Sequence, residues 1–204
     1  MDSHDVVEQH RAAGRRFKAA GISSFVREAG PPGGEPVVCL HGVPASYFLY
    51  RKVLRELAAR GLRGIAFDLP GLGLADRPAA FDYTWTGLGR FCAAAVDALG
   101  LDRFHLVVHD IGGPAGFERT RAKRDLYHRV LGDSRYPVQV VWGASDLALK
   151  LTTEGEAARR AAGAGTIHTL PARHYLQEDQ APAVAEHIAR IVTARYPQAG
   201  SVPR

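Results

Sequence analysis

A chain of 204 residues that is 46% hydrophobic can bury one sizeable core, so we predict a single domain over residues 1–204. No apolar run has the length of a membrane span and residues 1–5 are too polar and acidic for a secretory signal, so we expect a cytoplasmic protein with no membrane partner. The net charge of +5 is spread along helical patterns and no recognition motif accompanies its densest run, residues 119–124, which argues against nucleic acid as a partner.

The first half of the chain predicts a hairpin followed by alternating strands and helices. A polar arm or short helix ends near Ala12, and residues 15–19 and 22–29 form the expected hairpin. Apolar runs of strand length alternate with segments of helical spacing, over residues 36–40 (strand), 47–58 (helix, with Gly61 as its C-cap), 64–67 (strand), 86–99 (helix) and 104–108 (strand).

The second half is less regular. A basic, helix-like segment covers residues 123–131, and further elements are predicted over 138–142 (strand), 153–162 (helix), 166–170 (strand) and 180–194 (helix). Because strands alternate with helices and the strands are continuously apolar, we predict an α/β fold, with a mostly parallel sheet flanked by helices on both faces. Residues 106–108 should be a buried strand. Cys39 and Cys92 resemble small buried hydrophobic residues, so we expect no disulfide.

The junction after residue 108 is the most informative stretch of the chain. A strand stops at Asp110 and is followed by Gly112 and Gly113, and then by Pro114, which suits the first turn of a helix. A strand, sharp turn and helix are the context in which a nucleophile is lifted above a sheet. The simpler alternative is that Asp110 only caps the helix.

Polar residues follow several of the predicted strands. His41, Asp110, Asp146 and His174 each lie after a strand, and the carboxyl ends of parallel strands gather functional groups. Asp110, Asp146 and His174 occur in the order nucleophile, acid, histidine. Taken singly, Asp146 could be another cap and His174 an ordinary loop histidine. The histidines have no zinc-binding spacing and the glycine loops lack a phosphate-loop lysine, so we expect neither metal nor cofactor.

Several of these stretches together resemble the haloalkane dehalogenase and epoxide hydrolase branch of the α/β-hydrolase superfamily. The matching segments are residues 40–46, which contain the HGxP pattern, and residues 67–73, 107–113, 142–146 and 174–179. The resemblance covers most of residues 22–118 and 136–195. It implies an α/β-hydrolase fold and a hydrolase that acts on a small organic substrate with water.

The resemblance also implies roles for individual residues. Asp110 is the expected nucleophile, His174 the general base and Asp146 the residue that orients it. Backbone N–H groups of Val43 and Ile111 would form the oxyanion hole. His41 and Gly42 would support the oxyanion loop.

A carboxylate nucleophile itself constrains the substrate. Its attack on an ester or amide gives a reactive anhydride, whereas its attack on a saturated carbon that bears a halide or an epoxide oxygen gives a stable ester. We therefore expect a small apolar epoxide or haloalkane as substrate, with the two leaving groups left open. A serine esterase is disfavoured because no G-x-S-x-G occurs.

The chain departs from this branch of the superfamily in two respects. The side chains of Val43 and Ile111 cannot donate a hydrogen bond to a halide. The chain also lacks on the order of a hundred residues before strand 138–142 by comparison with the family, so we expect no full cap domain, a residual cap-end segment at about 119–135, and strand 138–142 paired directly with strand 106–108. An impaired, lidless homologue that is inert or acts as a binding protein is the alternative function.

Overall fold

A computed structural model describes residues 3–110 and 137–194. Several predictions fall outside these ranges: the contribution of Ile111 to an oxyanion hole, the basic run at 119–124, the helix at 123–131 and the cap-end segment at 119–135. None of the helices in the described ranges is long and apolar enough to cross a membrane.

The described strands form a five-stranded sheet and a two-stranded sheet. The larger sheet has the order β1-β2-β4-β3-β5, in which β2 pairs antiparallel with β1 and β4, and β3 pairs parallel with β4 and β5. The smaller sheet is the parallel pair β6 and β7. The strands are β1 (Arg15–Ala19), β2 (Ile22–Ala29), β3 (Pro36–Leu40), β4 (Arg63–Phe67), β5 (His105–Val108), β6 (Val140–Gly143) and β7 (Ile167–Leu170).

The helices lie mostly where the sequence predicts them. They are α1 (Ser3–Ala12), α2 (Arg51–Ala59), α3 (Trp85–Ala98), α4 (Glu156–Ala161), α5 (Leu176–Asp179) and α6 (Ala181–Thr193), with a 3₁₀ turn at Tyr47–Tyr50 before α2 and a π-helical turn at Leu151–Gly155 before α4. Gly61 ends α2 as predicted: its φ of +76° lets its N–H reach the carbonyl of Ala58. The short helix α5 was not predicted.

Helices cover both faces of the larger sheet, as predicted. Val37 and Cys39 of β3 point into a core shared with α2 and α6, and Val38 and Leu40 point into a second core shared with α3. This alternation follows from the two-residue period of a strand. Cys39 is buried, Cys92 is partly buried, and both are free, so the prediction that no disulfide joins them is confirmed.

Two predictions about β5 are wrong. Leu106 and Val108 are 56% and 61% exposed, because β5 is an edge strand in the described structure and α3 packs near β1, at the opposite edge. Direct pairing of β5 with β6 was expected because it would give hydrogen-bond partners to the backbone N–H and C=O groups at the edge of β5. Instead the two strands belong to separate sheets. The side chain of His109, which follows β5, contacts the backbone carbonyl of His174, which follows β7.

Candidate active site

The nucleophile candidate lies at a strained point of the backbone. Asp110 follows β5 with a φ of +61°, a left-handed conformation that is uncommon for residues other than glycine. The backbone N–H of Val43 donates to its Oδ2 at 3.0 Å. The other carboxylate oxygen, Oδ1, faces His174. The side chain of Asp110 is partly exposed.

The loop that follows β3 is built to bring this N–H to Asp110. The ring of His41 is buried, and its Nε2 accepts from the backbone N–H of Leu69 at 3.1 Å. The proton therefore lies on Nδ1, which donates to the carbonyl of Gly42 at 2.9 Å. Burial lowers the pKa of His41 to about 4, although its bond to Gly42 acts in the opposite direction. His41 is thus a neutral side chain that stabilises the loop through two hydrogen bonds.

Gly42 is required by the close approach of Asp110. A Cβ at position 42 would overlap the Asp110 carboxylate and lie 2.8 Å from its Cγ. A side chain there would displace the carboxylate from the N–H of Val43.

A second carboxylate, Asp68, lies beneath the same loop. Its Oδ1 and Oδ2 accept from the backbone N–H groups of Tyr47 and Leu74, each at 2.7 Å. Burial raises the pKa of Asp68 to about 6, against the lowering effect of these two bonds. Its Oδ1 is 3.7 Å from His41 Nε2, but that nitrogen carries no proton, so the contact is not an ion pair.

The histidine candidate is oriented by a fixed carboxylate. His174 Nδ1 donates to Asp146 Oδ2 at 2.9 Å, while Asp146 Oδ1 accepts from the N–H groups of Ala148 and Leu149, each at 2.9 Å. Burial acts to raise the pKa of Asp146, but the bonds from Leu149, His174 and Ala148 outweigh it and lower that pKa. Asp146 therefore closes a local turn and also binds the histidine.

This bond leaves the other ring nitrogen of His174 free to act. In the neutral ring, Nε2 carries the lone pair, and it lies 3.7 Å from Asp110 Oδ1. That separation is longer than a hydrogen bond, as is common in sites without substrate. Asp110, His174 and Asp146 thus lie next to one another as a carboxylate, an imidazole and a second carboxylate.

Contacts from two parts of the chain, α2 and the residue before Asp110, hold the loop that carries His174. Glu178 of α5 forms ion pairs with Arg51 and Lys52 of α2, and Lys52 Nζ also donates to the carbonyl of Glu178 at 2.9 Å. His109 Nε2 lies 2.9 Å from the carbonyl oxygen of His174. Sequence reasoning did not identify His109, although its place beside Asp110 in the elbow was a signal that could have led to it.

A cleft of about 410 Å³ borders His174. Leu147, which is 87% exposed, and Tyr175 give it an apolar wall. Its lining residues are Ser145, Leu147, Ala148, Arg173, His174, Tyr175, Glu178 and Asp179.

The structure therefore brings together most of the predicted site. Asp110, His174, Asp146 and the N–H of Val43 meet, and His41 and Gly42 lie behind them. Ile111 lies outside the described residues. Within those residues, no group of three or more His, Cys, Asp or Glu side chains is arranged to hold a metal ion.

Comparison with known proteins agrees with this architecture. Residues 35–118 match the family model described as alpha/beta hydrolase fold. The structure of haloalkane dehalogenase DbeA from Bradyrhizobium elkani superimposes with a TM-score of 0.68 at 18% identity, over 89% of this chain and 99% of that one, which shows the fold alone. The chain therefore has the α/β-hydrolase fold, and its sequence is similar to that superfamily over residues 35–118.

Within that superfamily, the chain is similar to haloalkane dehalogenases. It is 38% identical to a haloalkane dehalogenase of Psychrobacter cryohalolentis over 104 residues, which is 50% of this chain and 34% of the relative. It is 32% identical to haloalkane dehalogenase 2 of Mycobacterium bovis over 155 residues, which is 76% of this chain and 50% of the relative. These matches span half or less of the relatives' own length.

Proposed function

We propose that this protein is a hydrolase with an aspartate nucleophile, which cleaves a small apolar haloalkane or epoxide through a covalent ester on Asp110. The observation that carries the proposal is the placement of the Asp110 carboxylate. Its Oδ2 is bound by the N–H of Val43, and its Oδ1 lies 3.7 Å from the basic nitrogen of His174. A residue that only capped a helix would not need the histidine.

In the first step, Asp110 Oδ1 attacks a saturated carbon of the substrate. A carbon–oxygen bond forms, and the bond from that carbon to the halide or to the epoxide oxygen breaks with its electron pair. A halide departs as the anion, whereas an epoxide oxygen stays on the neighbouring carbon as an alkoxide and takes up a proton from water. The N–H of Val43 orients the carboxylate by holding Oδ2.

In the second step, His174 removes the ester. Its Nε2 takes a proton from water, and the resulting hydroxide attacks the carbonyl carbon of the Asp110 ester. The negative charge that develops on Oδ2 is stabilised by the N–H of Val43, and Asp146 stabilises the imidazolium. Collapse of the intermediate releases an alcohol or a diol, whose oxygen takes the proton from His174, and the carboxyl group of Asp110 then loses its proton to solvent, so the net reaction consumes one water.

The substrate class is inferred from the nucleophile and from the cleft beside His174. The apolar wall formed by Leu147 and Tyr175 suits a small apolar molecule. The curated relatives named as haloalkane dehalogenases favour a haloalkane. The side chain of Val43 offers no donor to a halide, which favours an epoxide. Both substrate types are therefore tested.

The direct test traps the ester. The variant His174→Gln should form the ester and fail to hydrolyse it. Incubated with 1-bromobutane or a small terminal epoxide, its tryptic peptide of residues 104–119 should gain one butyl or one hydroxyalkyl group, respectively. That peptide carries two carboxyl side chains, Asp110 and Glu118, and fragmentation should place the group on Asp110.

Two variants act as controls. His168→Gln changes another histidine, on β7, and should not accumulate ester. The double variant Asp110→Asn/His174→Gln should gain no mass. If folded wild-type protein turns over none of these compounds and folded His174→Gln gains no mass with any of them, the proposal fails and the inert or binding homologue is the better account.

A further inference from the structure

The nucleophile and the base are carried by different sheets. Asp110 follows β5 of the larger sheet, and His174 follows β7 of the smaller one. In the described residues, the only strand that pairs with β5 is β3, so no backbone ladder sets the distance between Asp110 and His174. Other contacts must set it.

The side chain of His109 makes a direct contact between the segment that follows β5 and the segment that follows β7. Its backbone N–H donates to the carbonyl of Leu40, which extends the pairing of β5 with β3. Its ring is nearly buried and packs against the ring of His174, with centroids 4.8 Å apart. Its Nε2 lies 2.9 Å from the carbonyl oxygen of His174. Because a carbonyl oxygen only accepts, Nε2 must carry the proton and donate.

The other ring nitrogen of His109 indicates why a histidine occupies this position, namely to supply the donor at Nε2. Nδ1 is buried and has no hydrogen-bond partner among residues 3–110 and 137–194. Burying an acceptor without a partner is unfavourable, and an apolar side chain of similar size would avoid that cost. Packing alone would therefore favour an apolar residue at this position.

We propose that His109 is a positioning residue, which fixes the backbone of His174 so that its ring lies between Asp146 and Asp110. The proposal rests on the proposed function, in which the ring of His174 is the base. His109 touches neither substrate nor water in this role and acts only through His174. Burial lowers the pKa of His109, although the bond to His174 and the charges of Asp110 and Asp146 act in the opposite direction.

The first test observes His174 directly and needs no substrate. In histidine labelled with ¹⁵N, the Nδ1 proton that His174 shares with Asp146 should give a downfield resonance. This resonance should persist in His109→Gln, whose amide N–H can replace the donor, and should be lost in His109→Leu. His168→Leu, which removes another ring from β7, is the matched control and should keep it. Should His109→Leu fail to fold, His109→Met serves the same comparison.

The second test separates the two chemical steps in a single turnover. Ester formation uses Asp110 and the N–H of Val43 and does not use His174, whereas ester hydrolysis needs His174. His109→Leu should slow hydrolysis by about 100-fold, the order expected for a misplaced base, and leave ester formation within about threefold of wild type. His109→Gln should restore most of the hydrolysis rate.

Opposite results would overturn this role. A merely structural histidine would slow both steps alike, and glutamine would not rescue one of them selectively. Retention of the His174 resonance in His109→Leu would also contradict the proposal. Failure of the wild type to form any ester would refute the proposed function instead, and the resonance would still decide whether His109 positions His174.

Discussion

Replacing Asp146 by asparagine should stop the protein at the ester. Both backbone N–H groups at this site, from Ala148 and Leu149, bind the same oxygen, Oδ1. If the NH₂ group of asparagine took the position of Oδ1, the N–H groups of Ala148 and Leu149 would face another donor and remain unpaired. The amide oxygen should therefore face the backbone, and the NH₂ group should face His174.

This orientation changes the tautomer of His174. Its Nδ1 must then accept a hydrogen bond, so the ring proton moves to Nε2 and the lone pair that faces Asp110 is lost. The opposite orientation would leave two N–H groups unsatisfied, at about 1–3 kcal/mol each. In triads of this logic, an amide in place of the orienting carboxylate lowers kcat by about 10⁴. Ester hydrolysis should fall by this order, and ester formation should be nearly unchanged.

Rapid-quench single turnovers, followed by mass analysis of the protein, measure both steps. Asp146→Asn should accumulate ester in proportion to the active sites present. Asp102→Asn removes an exposed carboxylate elsewhere and should behave as wild type. Ester hydrolysis by a folded Asp146→Asn variant at close to the wild-type rate would refute the tautomer reasoning.

Three further variants test the loop and the core. Gly42→Ala should slow ester formation by at least about 100-fold, because the methyl group displaces the Asp110 carboxylate; single turnovers measure it. His41→Gln should remove a dependence of stability on pH. The pKa of His41 is about 4 in the folded protein and near 6.5 in the unfolded chain, so the wild type loses up to about 3 kcal/mol of unfolding free energy as the pH falls from 6.5 to 4. Urea unfolding at both pH values should show a smaller loss in the variant. Tyr50→Phe should cost about 1–2 kcal/mol of unfolding free energy, since the buried hydroxyl donates to the carbonyl of Leu40.

These variants have distinct controls. Gly33→Ala places a methyl group in open space and should leave ester formation intact. Equal rates for the alanine variants at positions 42 and 33 would show that Asp110 tolerates displacement. A wild-type stability that is flat between pH 6.5 and 4, set beside an equally flat variant, would contradict the neutral assignment of His41. Buried Asp68 acts in the opposite sense over part of this range, so the difference between the two proteins is the quantity compared.

The hydrophobic pattern predicted the elements of the fold well where each element is set locally. Strands β1 to β4 and helices α2, α3 and α6 lie within a few residues of their predicted bounds, because period and capping are properties of neighbouring residues. The pairing of β5 was predicted wrongly. A continuous apolar run indicates a strand but does not say which strand covers its edge, and that choice depends on how separate parts of the chain pack.

The site was predicted from residue types at strand ends, and the structure adds what those types do not encode. Asp110, Asp146 and His174 were expected to lie together. In the structure, His174 Nδ1 is 2.9 Å from Asp146 Oδ2, and His174 Nε2 is 3.7 Å from Asp110 Oδ1. His109 was missed because its function depends on a carbonyl oxygen 65 residues away. The tight contact between Gly42 and Asp110 likewise depends on the relative placement of two loops.

The covalent ester on Asp110 is tested most directly by one turnover in water enriched in ¹⁸O, with enzyme in excess over substrate. In the proposed reaction, water attacks the carbonyl carbon of the Asp110 ester, so the first oxygen given to the product comes from the protein. The expected result is an unlabelled alcohol or diol and ¹⁸O in the peptide of residues 104–119, located on Asp110. Label in the first product with an unlabelled peptide would mean that water attacks the substrate directly, and would contradict the account.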